Sequence, residues 1–268
     1  MEIRRYFFGV CFAGLISLGL VGCKKDNTAA ASLPVVEAYL YAGHPIKVKL
    51  YQQKSLTDTA KYGAAITGQQ LLISDGSQQV QLTELVKGTY TYSDSSFLVA
   101  GRTYTLTFNY QSRQVSAKTV MPFKPTHFAT QHDSVHYAHS STPSVKIDTL
   151  NKFTWDNPDS LNHVLVFDNI DDSFFPVNGG FVRNGASNIF SINTERKSVY
   201  YVANNSFPYY GHYQVVLLSV NQEYIDLMKS NALGSNSQNL LNIPTNVNNG
   251  LGIFTAMQSD TLKFYLYQ

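Results

Sequence analysis

Apolar and polar residues alternate along much of this 268-residue chain. The alternation is clearest at residues 46–51, 79–82, 103–108 and 262–267. A period of two places every second side chain on the same face, so one face of each segment enters a core and the other meets water. The pattern predicts closely spaced antiparallel β-strands.

Turn-forming residues divide these segments. Asp75-Gly76 separates two apolar runs and predicts a β-hairpin. Pro122 and Pro125 end the strand pattern of the first part of the chain, because proline cannot donate a hydrogen bond to a sheet. We therefore expect an immunoglobulin-like β-sandwich at residues 33–125, with about seven strands.

The rest of the chain predicts a second module. Residues 126–150 form a predicted linker, and residues 151–268 form a fibronectin III-like, β-rich domain that opens with the strand of Trp155. Helical spacing of apolar residues predicts one short helix at about 222–229. The Asn-, Ser- and Gly-rich stretch 230–250 predicts a long loop and a candidate binding surface.

The fold class that follows is all-β. It consists of two immunoglobulin/fibronectin III-like antiparallel β-sandwich modules, with the short helix in the second module. No nucleic-acid partner is expected, because the formal net charge is only +2 and charged residues make up only 14% of the chain.

The N-terminus predicts export. Arg4 and Arg5 precede an apolar run at 6–20, which is shorter than the roughly 20 residues of a spanning helix. A basic start, a short apolar centre and small residues before a cut describe a secretory signal, here residues 1–22. The sequence Leu-Val-Gly-Cys at 20–23 resembles a bacterial lipobox. In that pathway the thiol of Cys23 receives a diacylglycerol and acyl lipid and becomes the mature N-terminus.

Lipidation of Cys23 carries several consequences. The lipid attaches the protein to a membrane, since each buried methylene contributes about 0.8 kcal/mol. Residues 23–32 form a polar tether between the lipid and the first module. The other cysteine, Cys11, leaves with the signal, so no disulfide and no cysteine zinc site are expected. A plain signal peptide with an incidental cysteine is the alternative.

The order of these features resembles a known family. A lipobox is followed by a Pro-Val-Val-Glu strand at 34–37, a Phe-x-Trp strand at 153–155, a short helix, and the stretch Asn-Val-Asn-Asn-Gly-Leu-Gly-Ile-Phe at 246–254. This is similar to a Bacteroidota family of outer-membrane lipoproteins described as a domain of unknown function. The resemblance implies an outer-membrane protein often encoded near TonB-dependent transporters. It leaves open whether the protein faces the cell surface or the periplasm.

Histidines supply the densest candidate metal site. His132, His136 and His139 lie within eight residues and could bind Zn²⁺ or Cu²⁺, although a solvated polar segment is the alternative. Asp168, Asp171 and Asp172 could bind Ca²⁺ but lack the glycine and glutamate of an EF-hand loop, which favours an ordinary turn.

Tyrosines supply a candidate ligand site. Tyr209, Tyr210 and Tyr213 could stack on sugars if exposed, while a packing corner between strands is the alternative. The chain contains neither a GxSxG elbow nor an HExxH zinc motif, and we expect no enzyme activity and no cofactor beyond the lipid.

The function expected from these features is that of a lipid-anchored accessory or binding protein of the outer membrane, associated with TonB-dependent nutrient uptake. Its partners would be the membrane, through the lipid, and a TonB-dependent transporter. A cell-surface adhesion or structural envelope lipoprotein and a carbohydrate-binding lipoprotein are the alternatives.

Overall fold

The molecule is built almost entirely from β-strands. A computed structural model describes residues 32–54, 59–60, 62–138, 149–177, 187–232 and 244–268. The described strands are β1 (Pro34–Tyr41), β2 (Ile46–Gln52), β3 (Leu72–Ser74), β4 (Gln79–Gln81), β5 (Thr83–Val86), β6 (Thr89–Tyr92), β7 (Thr103–Tyr110), β8 (Arg113–Val120), β9 (Thr126–Thr130), β10 (Ser134–His136), β11 (Thr149–Asp156), β12 (Asn162–Asn169), β13 (Phe175–Pro176), β14 (Ile189–Glu195), β15 (Val199–Ala203), β16 (Tyr209–Val220), β17 (Val247–Asn248) and β18 (Leu251–Tyr267). One α-helix, α1 (Gln222–Ala232), and a 3-10 turn (Asn204–Ser206) complete the described elements.

One large sheet contributes to both halves of the molecule. Its strand order is β14-β12-β16-β18-β1-β2-β6-β5, with β10 also pairing with β18 and β13 with β16. The five-stranded sheet β17-β8-β7-β3-β4 covers one end, and the three-stranded sheet β15-β11-β9 belongs to the other end. The all-β, sandwich-type fold expected from the alternation is confirmed.

The first sandwich buries the residues that alternate in the sequence. Side chains of β1 and β2 in the large sheet share one core with side chains of β7 and β8 in the five-stranded sheet. The fully buried members include Val36, Leu40, Ile46, Leu50, Tyr104 and Leu106. Burial of apolar surface on both facing sheets is the main stabilising contribution of this half.

The second sandwich has an aromatic core. Phe153 from the three-stranded sheet contacts Phe167 and Phe264 from the large sheet, with ring centroids 5.4 and 6.0 Å apart and the planes nearly perpendicular. Phe207 and Tyr213 pack in the same cluster. Edge-to-face pairs of this kind add to the free energy gained by burial.

Strand β18 belongs to both sandwiches. Residues 251–257 pair in parallel with residues 35–41 of β1, and residues 257–266 pair antiparallel with residues 211–220 of β16. Phe254 lies in the first core and Phe264 in the second. Since both are even-numbered, the same face of one continuous strand serves both cores.

Helix α1 covers the opposite face of the large sheet. Ile225 packs with Val164, Leu218 and Met257 in a third apolar cluster. At the start of the helix, the Thr119 hydroxyl donates to Glu223 Oε1 at 2.7 Å and accepts from the backbone N–H of Ala256 at 3.1 Å. These bonds connect the helix to strands of the first sandwich.

Several expectations are corrected by this topology. Residues 126–130 and 134–136, expected in a linker, form strands that pair with β11 and β18. Residues 247–257, expected in the second module, pair with strands of the first. The β1–β18 and β10–β18 pairs are parallel, whereas antiparallel pairing was expected throughout. Leu33–Gln268 forms one compact unit, in which the two sandwiches share β18.

Other expectations agree with the structure. Asp75 closes the predicted hairpin: its Oδ1 atom accepts hydrogen bonds from the backbone N–H groups of Ser77 and Gln78 at 2.9 and 2.7 Å. The predicted helix is present at Gln222–Ala232.

Among the described residues, no helix combines the length and apolar character needed to cross a bilayer.

The parallel contact between β1 and β18 depends on a glycine. Gly252 has φ +97°, and a Cβ atom there would lie 2.0 Å from the carbonyl oxygen of Val36. We expect Gly252→Ala to lower the free energy of unfolding by about 3 kcal/mol or more, because the two strands would have to separate. Urea unfolding monitored by circular dichroism measures this.

Gly43→Ala is the matched control. Gly43 also has a positive φ, +78°, but nothing lies within 4 Å of its Cβ position. Its substitution should lower the free energy of unfolding by only about 1 kcal/mol, because alanine disfavours the left-handed backbone conformation. Equal losses for the two variants would show that crowding against β1 does not matter.

A buried histidine makes stability depend on pH. His163 is 2% exposed, its Nδ1 atom lies 3.1 Å from the carbonyl oxygen of Leu161, and its Nε2 atom lies 3.1 Å from the Ser219 hydroxyl. Burial lowers the pKa of His163 below its ordinary value. The unfolded chain therefore takes up a proton near pH 6.5 while the folded chain does not, and stability falls as the pH drops through that region.

We expect the free energy of unfolding to decrease between pH 7.5 and about 5.5, and to decrease less in the His163→Gln variant. Urea titrations at both pH values measure the difference. The solvent-exposed His132 gives the control variant His132→Gln, which should keep the wild-type pH dependence. If the free energy of unfolding of His163→Gln fell with pH as steeply as that of wild type, His163 would not be the source of the pH dependence.

Candidate ligand-binding surface

Beyond helix α1, the outer face of the large sheet carries four exposed rings, which we name the ring row: His212, Tyr265, Tyr267 and His136. The rings of His212 and Tyr265 stack with centroids 4.1 Å apart and planes 7° apart. Tyr265 and Tyr267 follow at 5.3 Å and 21°, and His136 and Tyr267 at 5.4 Å and 53°. The ring row thus crosses three neighbouring strands.

The strand register produces this row. His212 on β16 lies directly opposite Tyr265 on β18, and His136 on β10 lies opposite Tyr267. Because the even-numbered residues of β18 face the core, its odd-numbered residues face outward, and helix α1 does not cover this end of the strand. Cross-strand ring pairs of this kind stabilise the sheet by roughly 0.2–1 kcal/mol each.

A groove of about 630 Å³ lies beside the ring row. Its outer lining combines charged and apolar residues, and it also borders Tyr213 and Phe264, whose side chains belong to the second core. The residues that line its outer part include Asp133, Ile170, Asp171, His212, Lys263 and Tyr265. Volumes of about 300–1,000 Å³ are typical of small-ligand sites.

One carboxylate fixes the edge of the groove. Asp171 Oδ1 lies 2.9 Å from His212 Nδ1, and Asp171 Oδ2 accepts the backbone N–H of His212 at 3.0 Å. The buried Asn169 accepts the backbone N–H of Asp171 at 3.1 Å through its side-chain oxygen and donates to the carbonyl oxygen of Tyr210 at 3.0 Å. His212 is therefore held between the Asp171 carboxylate on one side and the Tyr265 ring.

Gly211 makes room for that arrangement. Its φ is +137°, and a Cβ atom would lie 2.4 Å from Asp171 Oδ2 and 2.9 Å from Asn169 Nδ2. A side chain at this position would displace the carboxylate or the amide. The glycine is consequently a requirement of the groove and not only of the strand.

Two further charges line the groove. Lys263 is exposed, and no ion pair joins it to another residue in the described part of the chain. Asp133 is also exposed, and its backbone carbonyl oxygen accepts the N–H of Tyr265 at 2.9 Å. The Lys263 ammonium and the Asp133 carboxylate are thus available to a ligand.

The tyrosines expected to be exposed are mostly not. Tyr213 is fully buried and donates to the carbonyl oxygen of Tyr209 at 2.7 Å, and Tyr210 is 8% exposed and donates to that of Tyr137 at 2.9 Å. Burial raises the pKa of Tyr213 to about 12. Tyr209 is half-buried, and its ring centroid lies 5.2 Å from that of Phe174. The sugar-stacking assignment is corrected for Tyr210 and Tyr213, which form part of the packing corner.

The histidine cluster is only partly described. His132 lies in the turn before β10, where its backbone N–H donates to Asn151 Oδ1 at 3.2 Å, and His136 belongs to the ring row. His139 and the lipidation residue Cys23 lie outside the described residues. Within the described ranges no three acidic, histidine or cysteine side chains are grouped as a metal site, including Asp168 and Asp171.

The sequence carried a partial signal for this surface. Lys263, Tyr265 and Tyr267 are the polar or amphipathic positions of the terminal alternation, so their exposure follows from the period of two. Their meeting with His212 and His136 depends on pairing between distant strands, which one sequence does not specify.

The profile of a family described as a domain of unknown function (DUF4249) matches residues 26–263. The chain belongs to this family. The DUF4249 match covers most of both sandwiches and includes His136, His212 and Lys263, while Tyr265 and Tyr267 lie beyond its last residue. No curated protein matches the sequence.

Two solved structures are similar to this DUF4249 chain at low identity. The FN1–FN3 domains of chicken CNTN1 are 11% identical, with a TM-score of 0.29, and the match covers 88% of this chain and 65% of that one. Trypsin-activated alpha-2-macroglobulin from Escherichia coli is 13% identical, with a TM-score of 0.22, and the match covers 70% of this chain and 14% of that one. The chain thus spans less than two thirds of either.

The contact between Gly211 and Asp171 can be tested by a double-mutant cycle. We expect Gly211→Ala to lower the free energy of unfolding by about 2–3 kcal/mol. The loss should be smaller in an Asp171→Ala background, because the nearest atom to the new methyl group is then absent. Urea unfolding of the four proteins measures the coupling.

Gly68→Ala serves as the control for backbone strain. Gly68 has φ +67° and open space around its Cβ position. Its substitution should cost about 1 kcal/mol, unchanged by Asp171→Ala. Additive losses for Gly211→Ala and Asp171→Ala would refute the contact.

Proposed function

We propose that this protein is a lipid-anchored, non-enzymatic binding protein of the bacterial outer membrane that serves TonB-dependent nutrient uptake. The observation that carries the binding function is the exposed ring row beside a groove of about 630 Å³. Ligand sites are typically concave, of this size, and lined by aromatic and apolar side chains with a few polar groups. The lipobox at 20–23 supports the membrane anchor.

Family membership supports the cellular context. The chain belongs to DUF4249, and its lipobox, strand motifs and late Asn- and Gly-containing stretch resemble Bacteroidota lipoproteins encoded near TonB-dependent transporters. In this proposal Cys23 carries the lipid, the sandwiches stand beside the transporter, and the groove presents or receives what is transported.

Among the described residues, Ser219 and His163 form a pair that resembles a nucleophile and its base, and the burial of this pair supports a non-enzymatic role. Ser219 and His163 lie 3.1 Å apart, but they are 1% and 2% exposed. The other ring nitrogen of His163 faces the carbonyl oxygen of Leu161 instead of a carboxylate. A catalytic pair needs access to substrate and an orienting group, and this pair serves packing.

A carbohydrate-binding lipoprotein is the second candidate. The ring row favours it over an adhesion or structural envelope role, because rigid exposed rings next to carboxylates suit a compact hydroxylated ligand. The adhesion alternative needs a large flat contact with another macromolecule.

Fractionation and co-purification test the proposed function. We expect the full wild-type chain to incorporate labelled palmitate, to fractionate with the outer membrane, and to recover a TonB-dependent transporter after mild cross-linking and detergent extraction. The Cys23→Ser variant should lose the label and leave the membrane fraction, because the signal alone provides no lasting anchor.

Cys11→Ser is the matched control, since Cys11 lies in the predicted signal and its variant should retain the label. An unlabelled wild-type chain, or a Cys23→Ser variant that stays in the membrane fraction, would refute the anchor. Recovery of the labelled chain without any transporter would refute the role in uptake.

A further inference from the structure

We propose that the groove beside the ring row binds a neutral saccharide, such as a short oligosaccharide or one end of a longer glycan. The inference rests on the proposed binding function, names its ligand class, and is independent of the lipid anchor. Its site is formed by the Asp171–His212 pair, Lys263, Asp133 and Tyr265.

The position of the groove fits a chain-like ligand. The groove lies on the outer face of the large sheet, between the turn that follows β12 and the turn that precedes β10. Its volume of about 630 Å³ exceeds what one or two ordered waters fill, and it is within the range of small-ligand sites. A glycan longer than the groove can continue across the exposed Tyr265 and Tyr267.

The charges of the groove favour a neutral ligand. Two carboxylates, Asp133 and Asp171, and the Lys263 ammonium line the groove, so it holds formal charges of both signs. A phosphate would lie close to two carboxylates, and a cationic ligand would lie close to Lys263. Sugar hydroxyls both donate and accept, so the same ligand can satisfy a carboxylate and an ammonium.

The apolar part of the lining fits the carbon face of a sugar ring. Ile170 is 50% exposed at the edge of the groove, and Tyr265 is 38% exposed. A pyranose presents C–H groups on its faces and hydroxyls around its rim, which matches apolar contacts flanked by charged hydrogen-bonding groups. The backbone N–H of Ile170 already donates to the carbonyl oxygen of His212 at 2.9 Å, so this residue is held beside the ring row.

The ring row is organised before any ligand binds. His212 stacks on Tyr265 with ring centroids 4.1 Å apart, the centroid of Tyr267 lies 5.3 Å from that of Tyr265, and the Asp171 carboxylate is hydrogen-bonded to His212. Side chains that are already ordered lose little conformational entropy on binding, and tyrosine has few rotatable bonds to begin with.

A protein partner is the main rival occupant, because tyrosines are also enriched in protein interfaces. Such an interface needs about 1,000 Å² or more of complementary surface with few unpaired charges at its centre. Here an exposed lysine and an exposed carboxylate line a concave site. The geometry therefore favours the saccharide.

Glycan binding by the full, detergent-solubilised chain tests the inference. The probes are an array of neutral, uronate-containing and sulfated oligosaccharides, followed by calorimetric titration of the strongest neutral hit. We expect saturable binding to neutral glycans, with Tyr265→Ala and Lys263→Ala each weakening it by at least about tenfold. Tyr265→Phe should retain most of the affinity, because it keeps the aromatic ring and removes only the hydroxyl group.

The matched control is Tyr201→Ala. Tyr201 is 56% exposed on β15, which belongs to the three-stranded sheet of the same sandwich, and it does not line the groove. This variant should bind within about twofold of wild type. Thermal unfolding midpoints close to that of wild type establish that each variant is folded.

Three results would overturn the inference. These are the absence of saturable binding to any neutral glycan, equal losses in Tyr265→Ala and Tyr201→Ala, and exclusive binding to sulfated or uronate-containing glycans. Loss of transporter co-purification in folded Tyr265→Ala, without any glycan binding, would assign the ring row to a protein partner. Failure of glycan binding with intact recovery of the transporter leaves the proposed uptake role in place and rejects only the saccharide.

Discussion

Strand β18 pairs with both β1 and β16, and this shared pairing joins the two sandwiches. Its first half pairs with the N-terminal strand and its second half with the long strand of the second sandwich. Phe254 and Phe264 on the same face enter the two cores. Because one strand cannot change its face without a bulge, the orientation of one sandwich fixes which side chains of the other point outward. Gly252 permits the close approach of β1 on which this arrangement relies.

The outer face of the same sheet has two parts with different surroundings. Helix α1 covers the part near Met257 and Leu218 and buries an apolar cluster there. Within the described part of the chain, helix α1 does not cover the region near Tyr265, where Tyr265 stacks with His212. The proposed ligand site thus occupies the region of the shared sheet where outward-facing side chains meet solvent. Gly211 and Asp171 then set the position of His212 at its edge.

The elements that form as predicted depend on interactions between residues that are close in the chain. The Asp75 hairpin needs only backbone N–H groups two and three residues away, and it forms as expected. The apolar spacing near Ile225 correctly predicts a helix because residues three and four apart share a face. Tyr210 and Tyr213 are buried in the packing corner that was the alternative to sugar stacking, because they belong to a strand whose inward face is set by distant partners.

One sequence is enough to predict the all-β class, the hairpin, the helix and the alternation that exposes Tyr265 and Tyr267. Each depends on interactions between residues close in the chain or on a period of two. It is not enough to predict that β18 joins two sandwiches, that residues 126–130 and 134–136 form strands, or that His212 stacks on Tyr265. Those features depend on pairing between segments far apart in the chain, where many registers bury similar apolar surface and packing of the whole core selects one.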